Sequence, residues 1–446
     1  MSEIENVIKR NGSIVPFNPD RISNAIYRAA VSVGGRDKAT AGKLAKKVIE
    51  CLENDTFENN TPHIEQIQDV VEKVLIENGH AKVAKEYIIY RQEANRRRQS
   101  DEKYSTKESD NIPWAKIWHT LNWSLNRNLN TINGLNTRIR NGEFEEVVRQ
   151  SEKAYENNID TAAKLISARS NKIKMVMVSG PSSSGKTTTT IKLEERLKKK
   201  GFKFKPLNVD HYFFDLEMHP KDEFGDYDFE TPQALDLELI NEHLLALSEG
   251  KEIKVPHYDF KLGKRYLDRT PLHLDDNEIL LIDSLHGLYP KFSEAVSEEV
   301  KFKLYLEPLL QMKDYDGNYI RWADIRLMRR MLRDSVQRAY NPQQTLEHWH
   351  YVRSSELRNI IPYNSTADYI INTSMPYEIA LYKPMLFDNF KKWVKEYEGN
   401  ALREDAHKRA VRTANFLSEV VAVEDNSAVP KDSVLREFIG GSIYNY

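Results

Sequence analysis

The segment GPSSSGKT, residues 180–187, has the residue types and spacing of a phosphate-binding loop. It lies directly between the apolar stretch MVMVS, which predicts a strand, and TTTIKLEERLKKK, which predicts a helix. Gly180 and Gly185 allow a tight turn whose N–H groups face a phosphate, and the helix presents its positive end to the same charge. Lys186 adds a point charge at the β- and γ-phosphates, and Thr187 offers a hydroxyl ligand to Mg²⁺. The residues predicted to bind ATP here are Gly180, Pro181, Ser182, Ser183, Ser184, Gly185, Lys186, Thr187 and Thr188.

Two aspartates follow predicted strands further along the chain. Asp210 comes after FKPLNV, and Asp283 ends the apolar stretch EILLID. In a parallel sheet both would lie at the carboxyl edge, where the phosphate-binding loop also lies. Asp210 is therefore predicted to be the base that accepts a proton from an attacking hydroxyl. Thr187 and Asp283 are predicted to bind Mg²⁺ and Asp210 to lie close to it, whereas either aspartate taken alone would more often be a cap at a strand end.

A basic segment, DIRLMRRMLRDSVQR, predicts a helix with several arginines on one face. Arg326, Arg330 and Arg333 are spaced to stack their guanidinium groups, a geometry suited to binding polyphosphate and neutralising a transferring phosphoryl group. Arg326 and Arg330 are predicted to be catalytic, and Arg333 and Arg338 to bind ATP in a closing lid. The alternative interpretation is a solvated amphipathic helix.

The alternation of apolar stretches with helical segments from Lys172 onward predicts an α/β fold. MVMVS, FKPLNV, EILLID, FKLYLE and DYIINT read as strands of a parallel sheet with helices on both faces. Before them, four helical segments follow the strand-turn-strand stretch VIKRNGSIVPF, which predicts a small α-rich domain. The predicted domains are 1–98, a linker and helical connector at 99–170, the catalytic domain at 171–375 and a C-terminal helical extension at 376–446 that packs on it.

Bulk properties exclude several classes of protein. The 446 residues carry 65 Lys and Arg against 67 Asp and Glu, a formal net charge of −2, which argues against a dedicated nucleic-acid or membrane-surface binder. The single cysteine, Cys51, excludes an internal disulfide and a zinc ribbon. No apolar stretch is long enough to span a bilayer, and the N-terminus does not resemble a secretory signal. We therefore expect a cytoplasmic protein of two or three domains.

Several motifs in one order resemble the uridine kinase and phosphoribulokinase family. They are GPSSSGKT, NVDHYF, YDFETPQALD, VPHYDFKLGKR, LLIDSLHGL and RLMRRMLRDSVQR. The segments before the loop and at the C-terminus, ending DSVLREFIGGSIYNY, resemble the longer bacterial uridine-kinase-like proteins. The resemblance implies a P-loop kinase core, Asp210 as general base, and an acceptor pocket formed by Phe229, Glu230, Tyr258 and Arg265.

Two positions depart from the nucleoside-kinase pattern. Glu230 stands where uridine kinases usually have an aspartate, and Gly263 replaces a histidine expected after the Y-D-F motif. A site that hydrogen-bonds its substrate discriminates strongly against analogues lacking the partner, so such changes can redirect specificity. In the C-terminal REFIGG, Arg436, Gly440 and Gly441 could place a loop over a phosphate or form a plain turn.

The N-terminal segment VIKRNGSIVPFNPDRISNAI resembles an ATP-cone, a regulatory nucleotide-binding domain best known from ribonucleotide reductases. Lys9 and Arg10 suit phosphate contacts and Gly12 suits the tight turn. The alternative is a small helical domain with a basic hairpin. The residues that the resemblance implies in nucleotide binding are Val7, Lys9, Arg10, Gly12, Asn18, Arg21, Ile22, Thr61 and Ile64.

Together these patterns predict a Mg²⁺-dependent kinase that uses ATP, with ATP or dATP as a possible allosteric effector. A nucleoside is the leading acceptor; a sugar phosphate or phosphoglycerate is the alternative within enzymes. A nucleotide-sensing regulator without catalysis is the alternative outside them. We expect a small-molecule acceptor, no nucleic-acid or membrane partner, and a homo-oligomer.

Overall fold

The computed structural model describes residues 4–8, 14–31, 33–35, 37–54, 61–99, 112–219, 229–275, 277–337, 341–400 and 403–445. By their internal contacts the residues group into two units. One contains Met1–Glu108 with Phe214–Phe229, and the other contains Ser109–Phe213 with Glu230–Tyr446. Of the residues predicted to form sites, Lys9, Arg10, Gly12 and Arg338 lie outside the described residues.

The first unit is a short hairpin followed by four helices. The hairpin pairs Val7 with Val15, as its alternating sequence predicts. Asp37 caps the second helix by accepting from the backbone of Thr40, and His63 begins the third helix with a capping box. Apolar residues at three- and four-residue spacing fill the interior between the helices. The elements are β1 (Asn6–Ile8), β2 (Ile14–Pro16), α1 (Asp20–Val31), α2 (Lys38–Glu53), α3 (Ile64–Glu77) and α4 (Ala81–Gln99).

The second unit holds a five-stranded parallel sheet with helices on both faces. Its strands are β3 (Met175–Ser179), β4 (Lys203–Asn208), β7 (Glu278–Asp283), β8 (Lys301–Glu307) and β9 (Tyr369–Asn372). A separate antiparallel hairpin consists of β5 (Ile253–Asp259) and β6 (Lys264–Leu272). The helices are α5 (Trp114–Leu125), α6 (Ile132–Arg140), α7 (Phe144–Ala168), α8 (Lys186–Lys198), α9 (Leu237–Ser248), α10 (Trp322–Gln337), α11 (Pro342–Asn359), α12 (Glu378–Glu396), α13 (Glu404–Glu419) and α14 (Arg436–Ile439).

The sheet has the order β4-β7-β3-β8-β9, with β3 at its centre. Alternate residues of β3 face opposite sides: Val176 and Val178 belong to one apolar cluster, Met175 and Met177 to another. Because both faces of the central strands are covered, β3 and β7 are nearly continuous apolar runs, whereas the edge strand β4 is largely exposed. The predicted α/β fold is confirmed, and each of its five predicted strands is present.

The segments flanking the sheet pack on its helices. α7 packs against α8, the helix that follows the phosphate-binding loop, and α14 packs against α10. Within the described residues, no helix is long and apolar enough to cross a membrane.

Candidate functional site

The phosphate-binding loop connects β3 to α8 at the carboxyl edge of the sheet, as predicted. Gly185 precedes the helix at a φ of 86°, in the left-handed region that glycine tolerates. A Cβ on Gly180 would meet the carbonyl oxygen of Leu306 at 2.3 Å, so the loop needs glycine there for close approach. Ser183 and Ser184 are buried, and their hydroxyl groups have no hydrogen-bond partner among the described residues. These unpaired donors suit a bound polyphosphate.

Lys186 begins α8 and folds its ammonium group back over the loop. Nζ donates to the carbonyl oxygen of Gly180 at 3.0 Å and to that of Pro181 at 3.3 Å. Burial lowers the pKa of Lys186, and the negative charges of Asp283 and Glu437 oppose this shift. Burial raises the pKa of Asp283 to about 6, with Lys186 opposing the shift and Glu437 and Asp210 adding to it. Lys186 and Asp283 therefore form the charged centre of the site.

Asp210 lies just beyond the end of β4, in the short 3-10 turn Val209–Tyr212. The side chain of Asn208 accepts a hydrogen bond from its backbone N–H and so fixes the turn. In the parallel pairing of β4 with β7, Asn208 is opposite Asp283, which brings the two predicted acids to the same edge. The Asp210 carboxylate is exposed, as a base that must meet an incoming hydroxyl requires.

The β5–β6 hairpin lies beside the Asp210 turn. The backbone N–H of Tyr258 donates to Nδ1 of His211 at 3.2 Å, and Tyr258 is opposite Arg265 in the hairpin register. Arg265 donates to Asp236 at 2.8 Å. Two of the predicted acceptor residues, Tyr258 and Arg265, are thus close to the predicted base. Tyr258 is buried, so its ring forms a wall of packed aromatics with Phe213.

The arginine helix, α10, is not a solvated surface helix. Arg326 and Arg329 are wholly buried. Arg326 makes a bidentate ion pair with Glu356 of α11 and donates to the carbonyl oxygen of Ser182 at 3.0 Å. Glu356 also accepts from the backbone N–H of Ser182 at 3.1 Å. Arg326 is thus paired with Glu356 and holds the loop through Ser182, and its predicted catalytic role stays a prediction.

Arg330 joins the phosphate-binding loop to the predicted acceptor pocket. It donates to the hydroxyl of Ser182 at 3.1 Å and to the carboxylate of Glu230 at 2.7 Å. Arg333 donates to Asp334. Its positive charge lowers the pKa of Lys186, which places Arg333 near the loop. The predicted roles of Arg330 and Arg333 stay predictions, and both lie where those roles require.

The C-terminal segment contributes a carboxylate that the sequence did not indicate. Glu437, in α14, accepts from the hydroxyl of Thr188 at 2.8 Å and from its backbone N–H at 3.3 Å. Arg436 instead donates to the carbonyl oxygens of Val429 and Asn426, so it fixes the turn and does not face the loop. Val434 lies so close to Gly185 that a Cβ there would meet it at 2.5 Å.

Phe229 and the predicted regulatory residues belong to the first unit. Phe229 packs edge-on against His219 there. Val7 and Ile22 are buried in the core of that unit, which is a packing role. Asn18 accepts from the backbone N–H of Asp20 and so starts α1, where Arg21 is exposed. Thr61 and Ile64 lie at the start of α3. Nucleotide binding by these residues stays a prediction.

The residues present fit a Mg²⁺ ion in the loop site. The Thr187 hydroxyl is exposed at the first turn of α8, and Asp283 sits among further carboxylates that raise its pKa. Among the described residues no group of three or more His, Cys, Asp or Glu side chains could hold a metal ion by itself. Mg²⁺ usually binds through one or two protein ligands together with water and substrate phosphates, so this donor set suits it.

Sequence reasoning missed the contacts that support the loop from distant segments. Glu356, Glu437 and Thr373 each bind it, the last by donating to the carbonyl oxygen of Ser184 at 2.6 Å. Tyr155 of α7 reaches Thr189 of α8 at 2.7 Å. None of these residues lies in a motif with fixed spacing from the loop. The REFIGG segment was singled out in the sequence, but for Arg436, Gly440 and Gly441 and not for its acidic residue.

Comparisons with known proteins divide the chain in two. Residues 175–380 match the family described as Phosphoribulokinase / Uridine kinase family, and residues 5–96 match the ATP cone domain. A uridine kinase of Deinococcus deserti is 30% identical over 198 residues, which are 44% of this chain and 86% of that protein. A uridine kinase of Bacillus pumilus is 29% identical over 198 residues, covering 44% of this chain and 85% of that protein.

The N-terminal part has relatives of another kind. A vitamin B12-dependent ribonucleoside-diphosphate reductase of Thermoplasma acidophilum is 37% identical over 110 residues, 24% of this chain and 14% of that protein.

A solved structure of a possible uridine kinase from Bacillus stearothermophilus aligns with 48% of this chain and 98% of its own at 15% identity and a TM-score of 0.31. Both resemblances noted from the sequence motifs are confirmed.

Proposed function

Because the chain belongs to the phosphoribulokinase / uridine kinase family, we propose that it transfers the γ-phosphoryl group of ATP to a hydroxyl of a nucleoside such as uridine or cytidine. One observation carries the proposal: the charges of Asp210 and Lys186 both shift the pKa of Asp283. The predicted base Asp210, the cation Lys186 and the predicted metal ligand Asp283 therefore share one sheet edge. A base beside a phosphate-binding loop serves transfer to an acceptor, which a nucleotide switch alone does not need.

In the proposed mechanism the acceptor hydroxyl attacks the γ-phosphorus in line with the departing ADP. Asp210 takes the hydroxyl proton as the new P–O bond forms and the bond to the β-phosphate oxygen breaks. Lys186 and the loop N–H groups stabilise the charge on the phosphates. Mg²⁺, held by Thr187 and Asp283, supplies further charge neutralisation when bound. Arg330 orients the site through Ser182 and Glu230.

The pairing of the pocket arginines supports a neutral acceptor. Arg330 is neutralised by Glu230 and Arg265 by Asp236. A phosphorylated acceptor would need cations without such partners. Glu230 and Gly263 nevertheless depart from the nucleoside-kinase pattern, which favours another hydroxylated metabolite as the second candidate acceptor.

The first unit is an ATP-cone, and we propose that it binds ATP or dATP and regulates transfer. Regulation of this kind couples two distinct nucleotide sites and is reciprocal in binding free energy. We further propose that the chain acts as a homo-oligomer whose size responds to the effector. Sedimentation of the full chain with and without dATP measures that response; an unchanged sedimentation coefficient contradicts it.

A product assay tests the central proposal. ATP consumption is measured across nucleosides, sugars, sugar phosphates and glycerate derivatives, with identification of the phosphorylated product, with and without dATP. Turnover on uridine or cytidine is expected, and Asp210→Asn is expected to lower it by roughly 10²- to 10⁴-fold, as for loss of a general base. Asp268→Asn, an exposed position in β6 with a positive φ that asparagine tolerates, is the matched control. Tight ATP binding without turnover on any acceptor contradicts a kinase and favours a nucleotide sensor.

A further inference from the structure

A cavity of about 500 Å³ lies in the helical connector, between α5, α7 and the loop after β9. This volume is within the range of sites that bind small molecules. Almost all of its lining comes from residues 116–158, ahead of the segment that matches the kinase family. The rest comes from Asn372, Ser374 and Pro376. Neither the phosphoryl-transfer mechanism nor the ATP-cone uses this cavity.

The charge of the lining has one sign. Lys116, Arg127, Arg149 and Lys153 line the cavity, and none of the described residues that line it is an aspartate or glutamate. Arg149 alone of the four has an ionic partner among the described residues, Glu146 one turn away on α7. In a protein whose acidic and basic residues nearly balance, this concentration of cations is a local feature that attracts anions.

One buried hydroxyl in the cavity has no hydrogen-bond partner, and one ammonium group has no counter-ion, among the described residues. Ser124 is 1% exposed, and its hydroxyl has no hydrogen-bond partner among the described residues. Within the described part of the chain, the Lys116 ammonium donates to neutral groups, the side-chain oxygen of Asn158 and the hydroxyl of Tyr369. An unpaired buried hydroxyl and a half-buried ammonium without a counter-ion are both satisfied by an anion that also accepts hydrogen bonds.

The cavity also has a flat aromatic wall. Trp123 lines it, and the guanidinium of Arg127 stacks over the indole ring at 4.7 Å. We propose that this cavity is a second ligand site, which binds a phosphate-bearing small molecule through Lys116, Lys153, Arg127 and the Ser124 hydroxyl. Phosphate groups supply several hydrogen-bond acceptor oxygens and negative charge, which the cations and the hydroxyl of this lining can bind.

One short chain of hydrogen bonds and one stretch of backbone join the cavity to the phosphate-binding loop. Tyr155, which lines the cavity, contacts the Thr189 hydroxyl at 2.7 Å, and that hydroxyl donates to the carbonyl oxygen of Gly185. On the other side Thr373, between the lining residues Asn372 and Ser374, donates to Ser184. The lining of the cavity is therefore connected, through Tyr155 and through the neighbours of Thr373, to residues that shape the phosphate-binding loop.

Calorimetry with pyrophosphate tests the site in the full chain carrying Lys186→Met, which removes the point charge of the catalytic loop. Adding Lys116→Met together with Lys153→Met is expected to weaken pyrophosphate binding at least tenfold. Ser124→Ala, which leaves packing intact, is expected to weaken it about threefold, as for one neutral hydrogen bond. Lys164→Met, on the exposed face of α7 away from the cavity, is the matched control.

Tryptophan fluorescence locates the binding. Pyrophosphate is expected to change the emission of the Lys186→Met chain, and Trp123→Phe is expected to remove that change. Equal affinities in the lysine variants and the Lys164→Met control overturn the proposal, as does the absence of any pyrophosphate binding. Neither result bears on the kinase assay, which uses the chain with Lys186 intact.

Discussion

Glu437, in the C-terminal helix α14, accepts hydrogen bonds from both the hydroxyl and the backbone N–H of Thr188 in the first turn of α8. N–H groups at this turn point toward the place where a nucleotide's phosphates bind. The segment that carries Glu437 is fixed by Arg436 and packed against Gly185. The end of the chain is thus part of the nucleotide site.

Removing the charge of Glu437 is expected to tighten ATP binding. Its carboxylate competes with phosphate for the Thr188 donors and repels it, so Glu437→Gln is expected to lower the KM for ATP roughly threefold to tenfold, a difference of about 1 kcal/mol. kcat is expected to stay within about twofold, since the change acts before transfer. Steady-state kinetics with ATP varied measures both.

Glu424→Gln, an exposed substitution in the same C-terminal segment, is the control for the Glu437 variant. A raised KM or a strongly lowered kcat in Glu437→Gln contradicts competition. Such a result would instead make the carboxylate a ligand of the metal–nucleotide complex.

Breaking the Arg326–Glu356 pair is expected to destabilise the second unit. Both side chains are almost completely buried, at 0% and 1% exposure. Glu356→Gln leaves the buried guanidinium with only the more distant carboxylate of Glu307, 3.7 Å from Arg326 Nε, which lowers the free energy of unfolding by about 3 kcal/mol. It also removes the carboxylate that accepts from Ser182, so ATP affinity should fall as well. Denaturant unfolding and ATP titration measure the two effects.

Glu404→Gln, which breaks the solvent-exposed pair with Lys408, is the control and is expected to leave unfolding unchanged. If Glu356→Gln unfolds like the control, the pair is not an important support of the loop.

The phosphate-binding loop is expected to fail when Gly180 gains a side chain. A Cβ there would meet the carbonyl oxygen of Leu306 at 2.3 Å. Because both contacting groups belong to the backbone of a packed interior, moving them apart costs considerable free energy. Gly180→Ala is expected to raise the KM for ATP at least tenfold. Gly42→Ala, in α2, meets no atom within 4 Å and should leave ATP use unchanged. Titration of both variants with ATP measures the two KM values. A normal KM for Gly180→Ala would mean that the loop accommodates the added Cβ.

The sequence predicted the parts of the molecule that local patterns control. MVMVS and EILLID are apolar because both faces of the central strands are covered, and the loop needs glycine at fixed positions. Asp210 and Asp283 could be placed at one edge because strand ends in a parallel sheet coincide. Glu437 could not be placed, since its contact with Thr188 joins residues 249 positions apart. The pairing of Arg326 with Glu356 could not be predicted for the same reason, because Glu356 lies on another helix.

The affinity of the connector cavity for anions is expected to fall as the pH rises through about 8. Burial lowers the pKa of Lys116 to about 8. Below that pH the ammonium is charged and attracts an anion, and above it the neutral amine does not. Sulfate is the suitable probe because its charge stays constant over this range. Loss of one charge contact in a partly solvated site corresponds to about 1 kcal/mol, or roughly fivefold in affinity.

The pH dependence due to Lys116 can be distinguished from that of the other groups near it. Burial raises the pKa of Tyr369, which stays neutral, and Arg127 and Arg149 stay charged at every pH used. His119 and Lys153 also line the cavity, so His119→Gln and Lys153→Met are expected to retain the transition. Lys116→Met should bind sulfate weakly and without a transition, and Lys116→Arg should bind it tightly across the range. A transition that persists in Lys116→Met would assign the pH dependence to another group.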